Sequence, residues 1–469
     1  MTRARILVGD CRERMAELPD ASVDAVVTDP PYELGFMGKR WDASGIAYDV
    51  EVWRQALRVL KPGGHLLAFS GSRTYHRMTC AIEDAGFEIR DQIMWLYGSG
   101  FPKSLDVSKA IDAIDRTEES RRRALTFTAW MRSTGITARQ IDDATSTCMG
   151  NHYTTHPTQP SVATTDLFDL LRPLLPVVPE EIEELVRSRT VESENMKRRE
   201  VVGAHASTSP GCNMRTGMLA TEKDAIGVVT KAHTDDARRW SGWGTALKPA
   251  HEPICMARKP LVGTVAGNVL THGTGAINVD GCRVGNDIVG WEGGGSALYE
   301  DGLSREGAAP RPVKGRWPAN VLHDGSDDVT DGLREAARFF YTAKADRSDR
   351  DEVLGDLPTR TGAQTVERAE GSAGTQSPRA GAGRTASSVV NHHPTVKPTE
   401  LMRYLVRMVT PPGGLVLDPF TGSGSTGRAA MLEGMRFVGT ELSPEYAELA
   451  QARIRYTLGP LFAHLVEIA

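Results

Sequence analysis

Two short stretches of this chain carry residue types suited to chemistry on a small planar ligand. The first is Asp29-Pro30-Pro31-Tyr32, which follows the apolar run Val23–Thr28. That run reads as a buried strand bounded by turn signals. Each proline fixes φ and lacks an N–H, so the pair ends the strand and holds a carboxylate and an aromatic ring rigidly at its C-terminal edge. Open α/β sheets bind their ligands at that edge. A flat base with an exocyclic amino group fits such a corner. Asp29 and the Pro30 carbonyl would accept hydrogen bonds from the NH2, and Tyr32 would stack on the ring. A strand end followed by an ordinary proline turn uses the same residues, so the motif needs support from elsewhere in the chain.

The second stretch is Asp418-Pro-Phe420-Thr421-Gly422-Ser-Gly424-Ser425-Thr426-Gly427, between the strand Gly414–Asp418 and a helix over 425–433. Two close glycines let the backbone turn tightly and approach a ligand. The next strand, Met435–Glu441, ends in an acid about twenty residues on, placed to accept hydrogen bonds from ribose hydroxyls. The spacing is shared with dinucleotide-binding folds, so it points to a nucleoside cofactor without naming it.

The elements that must position these stretches alternate. A strand at Ile6–Val8, a helix over 11–18, the Val23–Thr28 strand, a helix from Val50 to Leu60 stopped by Lys61-Pro-Gly-Gly64, a strand at His65–Ser70, a helix to about Ala85 and a strand at Phe87–Tyr97 predict a mostly parallel sheet with helices on both faces. Residues 33–48 read as a mobile loop over the corner. The alternation stops near Gly100. Helices over Leu125–Thr134, Ala138–Thr145 and Thr165–Leu175 are compatible with a helix-turn-helix unit or a plain helical insertion, and Glu180–Arg199 reads as a charged helix. Pro249–Lys259 returns to strand character and is expected to pair antiparallel with Phe87–Tyr97. Residues 260–345 read as irregular, with aromatics among glycines and charges. Residues 361–390 are too poor in large apolar side chains to order themselves and read as linker. From Asn391 a compact unit resumes, with a helix over Thr399–Val409 and a closing helix over Pro444–Arg455.

Bulk properties set outer limits. The chain has 469 residues, 40% hydrophobic content and a net charge of −5, which is ordinary for a soluble protein with two or three domains. No apolar run reaches membrane-span length and no signal peptide opens the chain. The six cysteines are scattered without a CxxC pair, so neither a zinc site nor a disulfide framework is expected, and a reduced cytosol is the natural compartment.

Together, Asp29-Pro-Pro-Tyr32 and Asp418-Pro-Phe-Thr-Gly-Ser-Gly-Ser-Thr-Gly427 resemble the amino-group DNA methyltransferases that use S-adenosylmethionine. The order, catalytic motif before cofactor motif, is similar to the permuted beta group of that family, and His393-Pro-Thr-Val-Lys397-Pro398 resembles the segment that precedes the cofactor strand there. The resemblance covers residues 1–97, 249–259 and 391–469 well, and 101–246 poorly. It implies a circularly permuted, Rossmann-like, seven-stranded α/β methyltransferase sheet carrying a large inserted target-recognition region. The implied division is a catalytic half at 1–100, a partly helical recognition region at 101–246, a returning core strand at 247–260, further recognition elements at 261–345, a linker at 346–390 and a cofactor-binding half at 391–469.

By the same resemblance Asp29, Pro30, Pro31 and Tyr32 are the catalytic residues. Cofactor contacts fall to Asp418, Phe420, Thr421, Gly422, Gly424, Ser425 and Thr426, with Glu441 on the ribose, Asp10 at the adenine end, and Asp29 and Lys397 near the methionine part. No metal is implied. The implied reaction is site-specific methylation of adenine N6 in double-stranded DNA with base flipping, in a cytoplasmic enzyme of bacterial or phage origin that could form a homodimer and could act beside a cognate restriction endonuclease. Asp rather than Ser at the first motif position leans towards adenine, and cytosine N4 is the alternative, followed by RNA or protein glutamine. Cytosine-C5 chemistry needs a cysteine nucleophile, usually after proline, and no cysteine here follows proline.

Overall fold

The structure is a computed structural model. It describes residues 3–34, 40–98, 100, 104–114, 117–155, 159–197, 201–206, 226–230, 232, 235–290, 312–343 and 396–469. The expected linker at 346–390 and the residues His393, Pro394 and Thr395 lie outside this set. By internal packing the described residues divide into two compact units, one drawn from Met1–Gly100, Pro249–Arg360 and Val389–Ala469, the other from Phe101–Lys248 and Thr361–Ser388.

In chain order the strands are β1 (Ala4–Val8), β2 (Val23–Thr28), β3 (Leu60–Phe69), β4 (Glu88–Leu96), β5 (Val201–Ala206), β6 (Ile226–Thr230), β7 (His251–Arg258), β8 (Val284–Gly290), β9 (Pro312–Arg316), β10 (Val321–His323), β11 (Tyr341–Thr342), β12 (Leu415–Asp418), β13 (Arg436–Glu441) and β14 (Val466–Ile468). Ten of them form the sheet of the first unit, in the order β11-β10-β4-β7-β3-β2-β12-β13-β1-β14. All neighbours are parallel except at β7, which runs antiparallel to both β3 and β4. The seven strands from β4 to β1 are the sheet the sequence implies, and the short strands β10, β11 and β14 extend it to ten. Two of these additions correct the expectation that 260–345 is irregular, since β10 and β11 come from that stretch and continue the sheet beyond β4.

Burial explains the strand sequences. On β2, Ala25 and Val27 enter one apolar layer and Val26 the other, and all six residues of the strand are buried. A parallel strand covered on both faces reads as a continuous apolar run for this reason. One layer is closed by the Thr399–Val409 helix, with Leu401, Leu405 and Val406 in the core. The other is closed by the Val50–Val59 helix, which buries Val52, Trp53, Ala56 and Val59 at helical spacing. The Lys61–Gly64 stretch, expected to be a stop between helix and strand, lies within β3 as an irregularity between the pairs Val23↔Leu60 and Ala25↔His65. Gly63 has φ +77°, and a Cβ there would sit 2.4 Å from the Asn268 amide, so the kink depends on glycine.

One buried acid ties the start of this sheet together. Asp24 is 3% exposed. Its carboxylate accepts from Lys61 Nζ on β3 at 2.6 Å and from the Leu415 backbone N–H on β12 at 2.6 Å.

The second unit has its own core. The helices Thr117–Ser133, Ala138–Thr145, Gly150–Thr154, Thr165–Leu171 and Glu180–Lys197 surround Phe127, Met131, Tyr153 and Phe168. A capping box between Thr137 and Gln140 starts the second helix. Gly150 lies so close to Ala138 that a Cβ would strike its carbonyl oxygen at 2.1 Å. Among the described residues no helix is long and apolar enough to cross a membrane.

Removing the Asp24 carboxylate strands the Leu415 N–H and the Lys61 ammonium. Asp24→Ala is therefore expected to cost about 2 kcal/mol of stability, measured as a lower denaturant midpoint with little change in slope.

Candidate active site

Strand order decides which residues meet. β2 and β12 are parallel neighbours, with Ala25 opposite Val416 and Val26 opposite Leu417. Their C-terminal ends leave the same edge of the sheet, and the Thr28 hydroxyl donates to Asp418 Oδ1 at 2.6 Å. β13 follows beside β12 and ends at Glu441, and β1 pairs Val8 with Glu441 just before Asp10. On the other side β3 ends at Phe69. β7 runs the opposite way, so its beginning, not its end, lies at this edge, which brings Glu252 beside the corner.

At the corner, Lys397 is 7% exposed and its ammonium lies 2.7 Å from Asp29 Oδ2 and 3.4 Å from Glu252 Oε2. It also sits over two rings, 5.2 Å from the Tyr32 centroid and 5.0 Å from that of Phe69. The Tyr32 hydroxyl donates to Glu252 Oε2 at 2.9 Å. Burial raises the Asp29 carboxyl above its ordinary value, against the pull of the Lys397 ammonium. Burial alone would lower the Lys397 ammonium, but the charges of Asp29 and Glu252 outweigh it and hold the group protonated. Burial and the neighbouring carboxylates push the Tyr32 phenol well up, so it stays a donor. Asp29 Oδ1 is buried and has no hydrogen bond of good geometry among the described residues, although the Tyr32 hydroxyl also acts on the Asp29 carboxyl and works to lower its pKa.

The loop after the corner folds back on it. Glu33, with φ +56°, accepts from the Gly45 N–H at 2.8 Å. Buried Asp42 accepts from the Glu33 N–H at 3.0 Å and the Leu34 N–H at 3.3 Å. Residues 40–43 and 46–48 form two tight turns. The expected mobile loop over 33–48 is thus pinned at both ends, while its centre, 35–39, lies outside the described residues.

The glycine bend is built as the motif requires. Gly422 has φ +51°, and its N–H donates to Glu441 Oε2 at 2.8 Å. The Ser443 N–H donates to Glu441 Oε1 at 2.9 Å. A carboxylate has about four acceptor sites, so two fixed N–H donors orient Glu441 and leave room for two hydroxyl donors. Burial raises Glu441 to about 7 despite these N–H groups. Gly424 has φ +78°, and a Cβ there would lie 2.9 Å from the Ala450 Cα.

Asp418 faces inward. It accepts from the Thr28 hydroxyl, the Phe420 N–H at 3.0 Å and Thr426, and burial raises it to about 6. Thr421, Ser425 and Thr426 are buried: the Thr421 hydroxyl donates to the Asp418 carbonyl, and Ser425 accepts from Arg453. Phe420 packs near Trp53, with ring centroids 6.5 Å apart. These residues shape the bend from behind, whereas Glu441 presents acceptors to its open side. Asp10 reaches the edge, but its carboxylate caps the Cys11–Ala16 helix and pairs with Arg12 at 2.6 Å, which lowers its pKa.

Glu252 escaped the sequence reading. A lone acid in a strand otherwise read as core was the available signal, and the antiparallel direction of β7 gives it meaning.

The sequence matches the N6/N4 DNA methylase family over residues 23–127 and 232–452, and the chain belongs to that family. It is 40% identical over 63 residues to the DNA adenine methyltransferase YhdJ of Escherichia coli, covering 13% of this chain and 21% of that protein. It is 31% identical over 167 residues to the type II methyltransferase M.Cfr9I of Citrobacter freundii, covering 34% of this chain and 47% of that protein. In each case the match spans less than half the relative's length. Among solved structures it is similar to the M1.HpyAVI–SAM complex, with TM-score 0.35 and 13% identity over 96% of this chain and 98% of that one. It is also similar to the PvuII DNA methyltransferase (cytosine-N4-specific), with TM-score 0.37 and 12% identity over 97% and 86%.

The raised Glu441 pKa has a stability consequence. The folded protein keeps this proton to about 7, while the unfolded chain releases it near 4.5. Its contribution to stability therefore falls as pH rises through that window. Glu441→Gln is expected to flatten the decline in denaturation midpoint across the window.

Proposed function

We propose that this protein transfers a methyl group from S-adenosylmethionine to the exocyclic amine of a base in double-stranded DNA, with adenine N6 as the acceptor. The observation that carries this reading is the Asp29–Tyr32 corner. A buried carboxylate oxygen that carries no hydrogen bond of good geometry among the described residues meets the need of an amine for an acceptor, beside a ring held ready to stack. The preference for adenine rests on Asp at the first motif position.

When bound, S-adenosylmethionine supplies the electrophilic methyl. Glu441 would hold the ribose hydroxyls, Gly422 and Gly424 would let the backbone approach the nucleoside, and Lys397 would sit beside the methionine part. The target amine is a poor nucleophile because its lone pair is delocalised into the ring. Hydrogen bonds from the NH2 to Asp29 Oδ1 and the Pro30 carbonyl draw that lone pair back onto nitrogen and aim it. Tyr32 stacks on the base after it leaves the duplex. Once the N–CH3 bond has formed, the nitrogen passes its surplus proton to Asp29, and from there it reaches water. Positioning and electrostatics supply the rate, and no covalent link between protein and base is needed. Residues 101–246, with a core of their own, are assigned to sequence reading.

Asp29→Ala leaves Lys397 with Glu252 as counter-ion, so the fold should tolerate it. The variant is expected to retain S-adenosylmethionine binding and to lose methyl transfer by at least about a hundredfold. The assay is incorporation of labelled methyl into unmethylated DNA, followed by nucleoside mass spectrometry. N6-methyladenine is the expected product, and N4-methylcytosine would reassign the base. Near-normal turnover by the variant would remove Asp29 from the mechanism.

A further inference from the structure

The buried cluster at the corner holds one more charge than the reading above uses. We propose that Glu252 is a positioning residue for the methyl acceptor: it anchors the Tyr32 ring through its hydroxyl and, by sharing the Lys397 ammonium with Asp29, keeps the corner net negative. This role presupposes amino-methyl transfer at the Asp29 corner.

The geometry supplies both halves. Glu252 Oε2 accepts from the Tyr32 hydroxyl at 2.9 Å and lies 3.4 Å from Lys397 Nζ. Tyr32 is joined to rigid backbone on one side by Pro30 and Pro31 and on the other by this hydrogen bond, so its ring plane is set before a base arrives. Lys397 closes the cluster through its 2.7 Å contact with Asp29 Oδ2, the oxygen opposite Oδ1, which carries no hydrogen bond of good geometry among the described residues. With both carboxylates ionised, one ammonium between them leaves a charge of −1. Were Asp29 the sole counter-ion, the pair would be neutral and Asp29 a weaker acceptor.

The sign of that charge matters to the reaction. As the N–CH3 bond forms and the S–CH3 bond breaks, the electron pair of the broken bond goes to sulfur. Positive charge thereby moves from sulfur to the amine nitrogen. A fixed negative corner beside that nitrogen favours the charge where it appears, in a site shielded from water. The groups facing Asp29 are Lys397, Glu252, Tyr32 and Asp418, while Tyr97 faces Glu252 and Lys397 from the end of β4. Of these, Glu252 is the carboxylate that shares the lysine.

The test uses the full chain, labelled S-adenosylmethionine and unmethylated genomic DNA. Glu252→Gln keeps an oxygen for the Tyr32 hydroxyl and removes the charge. Its kcat is expected to fall about tenfold or more with KM for DNA nearly unchanged, and its binding of S-adenosylmethionine should match the wild type. The acid limb of the kcat/KM profile should move to lower pH, because Asp29 ionises more readily without a second carboxylate nearby. A purely structural role would not move that limb. Glu252→Ala should add a rise in KM for DNA, since the ring loses its anchor. A Gln variant with kcat within about twofold of wild type and an unmoved acid limb overturns the role of Glu252 while leaving the methyltransferase reading standing. If the Gln variant does not fold, Tyr32→Phe carries the test of the anchor: KM for DNA should rise severalfold, and an unchanged KM overturns it. Wild-type protein that transfers no methyl to DNA takes down both the reading and this role.

Discussion

The parallel pairing of β2 with β12 is the constraint on which the site depends. The Thr28–Asp418 hydrogen bond joins residues 390 apart in sequence, yet the strands that carry them are adjacent in the sheet. Each strand runs into an Asp-Pro pair, Asp29-Pro30 after β2 and Asp418-Pro419 at the end of β12, and each proline forces the chain out of the sheet at the same edge. One turn then presents an acceptor and a ring, while the other bends through two left-handed glycines towards Glu441. Neither turn could bridge a methyl donor and an amine alone. A permuted chain order is harmless under this arrangement, because sheet position and not sequence position sets which turns face each other.

Electrostatics then divide the edge into two kinds of acid. Asp24 and Asp418 each tie neighbouring strands together, Asp24 at the start of the strands through Lys61 and the Leu415 N–H and Asp418 at their end through Thr28 and the Phe420 N–H. Asp29 and Glu441 instead stand at the turns of the ligand-binding edge, Asp29 with one oxygen on Lys397 and Glu441 on the Gly422 and Ser443 N–H groups. The difference follows from where each side chain points on a pleated strand or turn, which composition cannot reveal. Charge burial at the corner is tolerated because the Lys397 ammonium is met by two carboxylates and two ring faces, so its desolvation is offset on several sides at once.

The long elements were legible in the sequence because they are periodic or wholly apolar. The Thr399–Val409 helix matches its expected bounds, and the antiparallel return of Pro249–Lys259 against Phe87–Tyr97 is the observed β7–β4 pairing. Short elements were not legible. β10 and β11 have three and two residues, too few for alternation to register. Lys61-Pro-Gly-Gly64 carries a helix-stop signature, yet the same residues serve a kink inside β3, because the Asn268 amide and the Thr274 hydroxyl donate to the Pro62 carbonyl that the disturbed ladder leaves over. At the site, the two motifs leave the same edge of the sheet. Asp10 shows what motifs leave out: Arg12, two residues on, takes up its carboxylate.

The antiparallel strand explains how an acid from a different part of the chain enters this corner. In an all-parallel sheet, the edge that binds ligands receives only strand ends, and each is followed by a turn with its own steric demands. A reversed strand offers its first residues there instead, on backbone already paired in the ladder with β4. Glu252 pairs opposite Trp95, one residue before Pro253, whose carbonyl accepts the Ser70 N–H at 2.9 Å. Its backbone is therefore more firmly held than that of a turn residue would be. A carboxylate meant to fix a ring and divide a lysine's charge gains from that rigidity, since a shift of an ångström would release the Tyr32 hydroxyl.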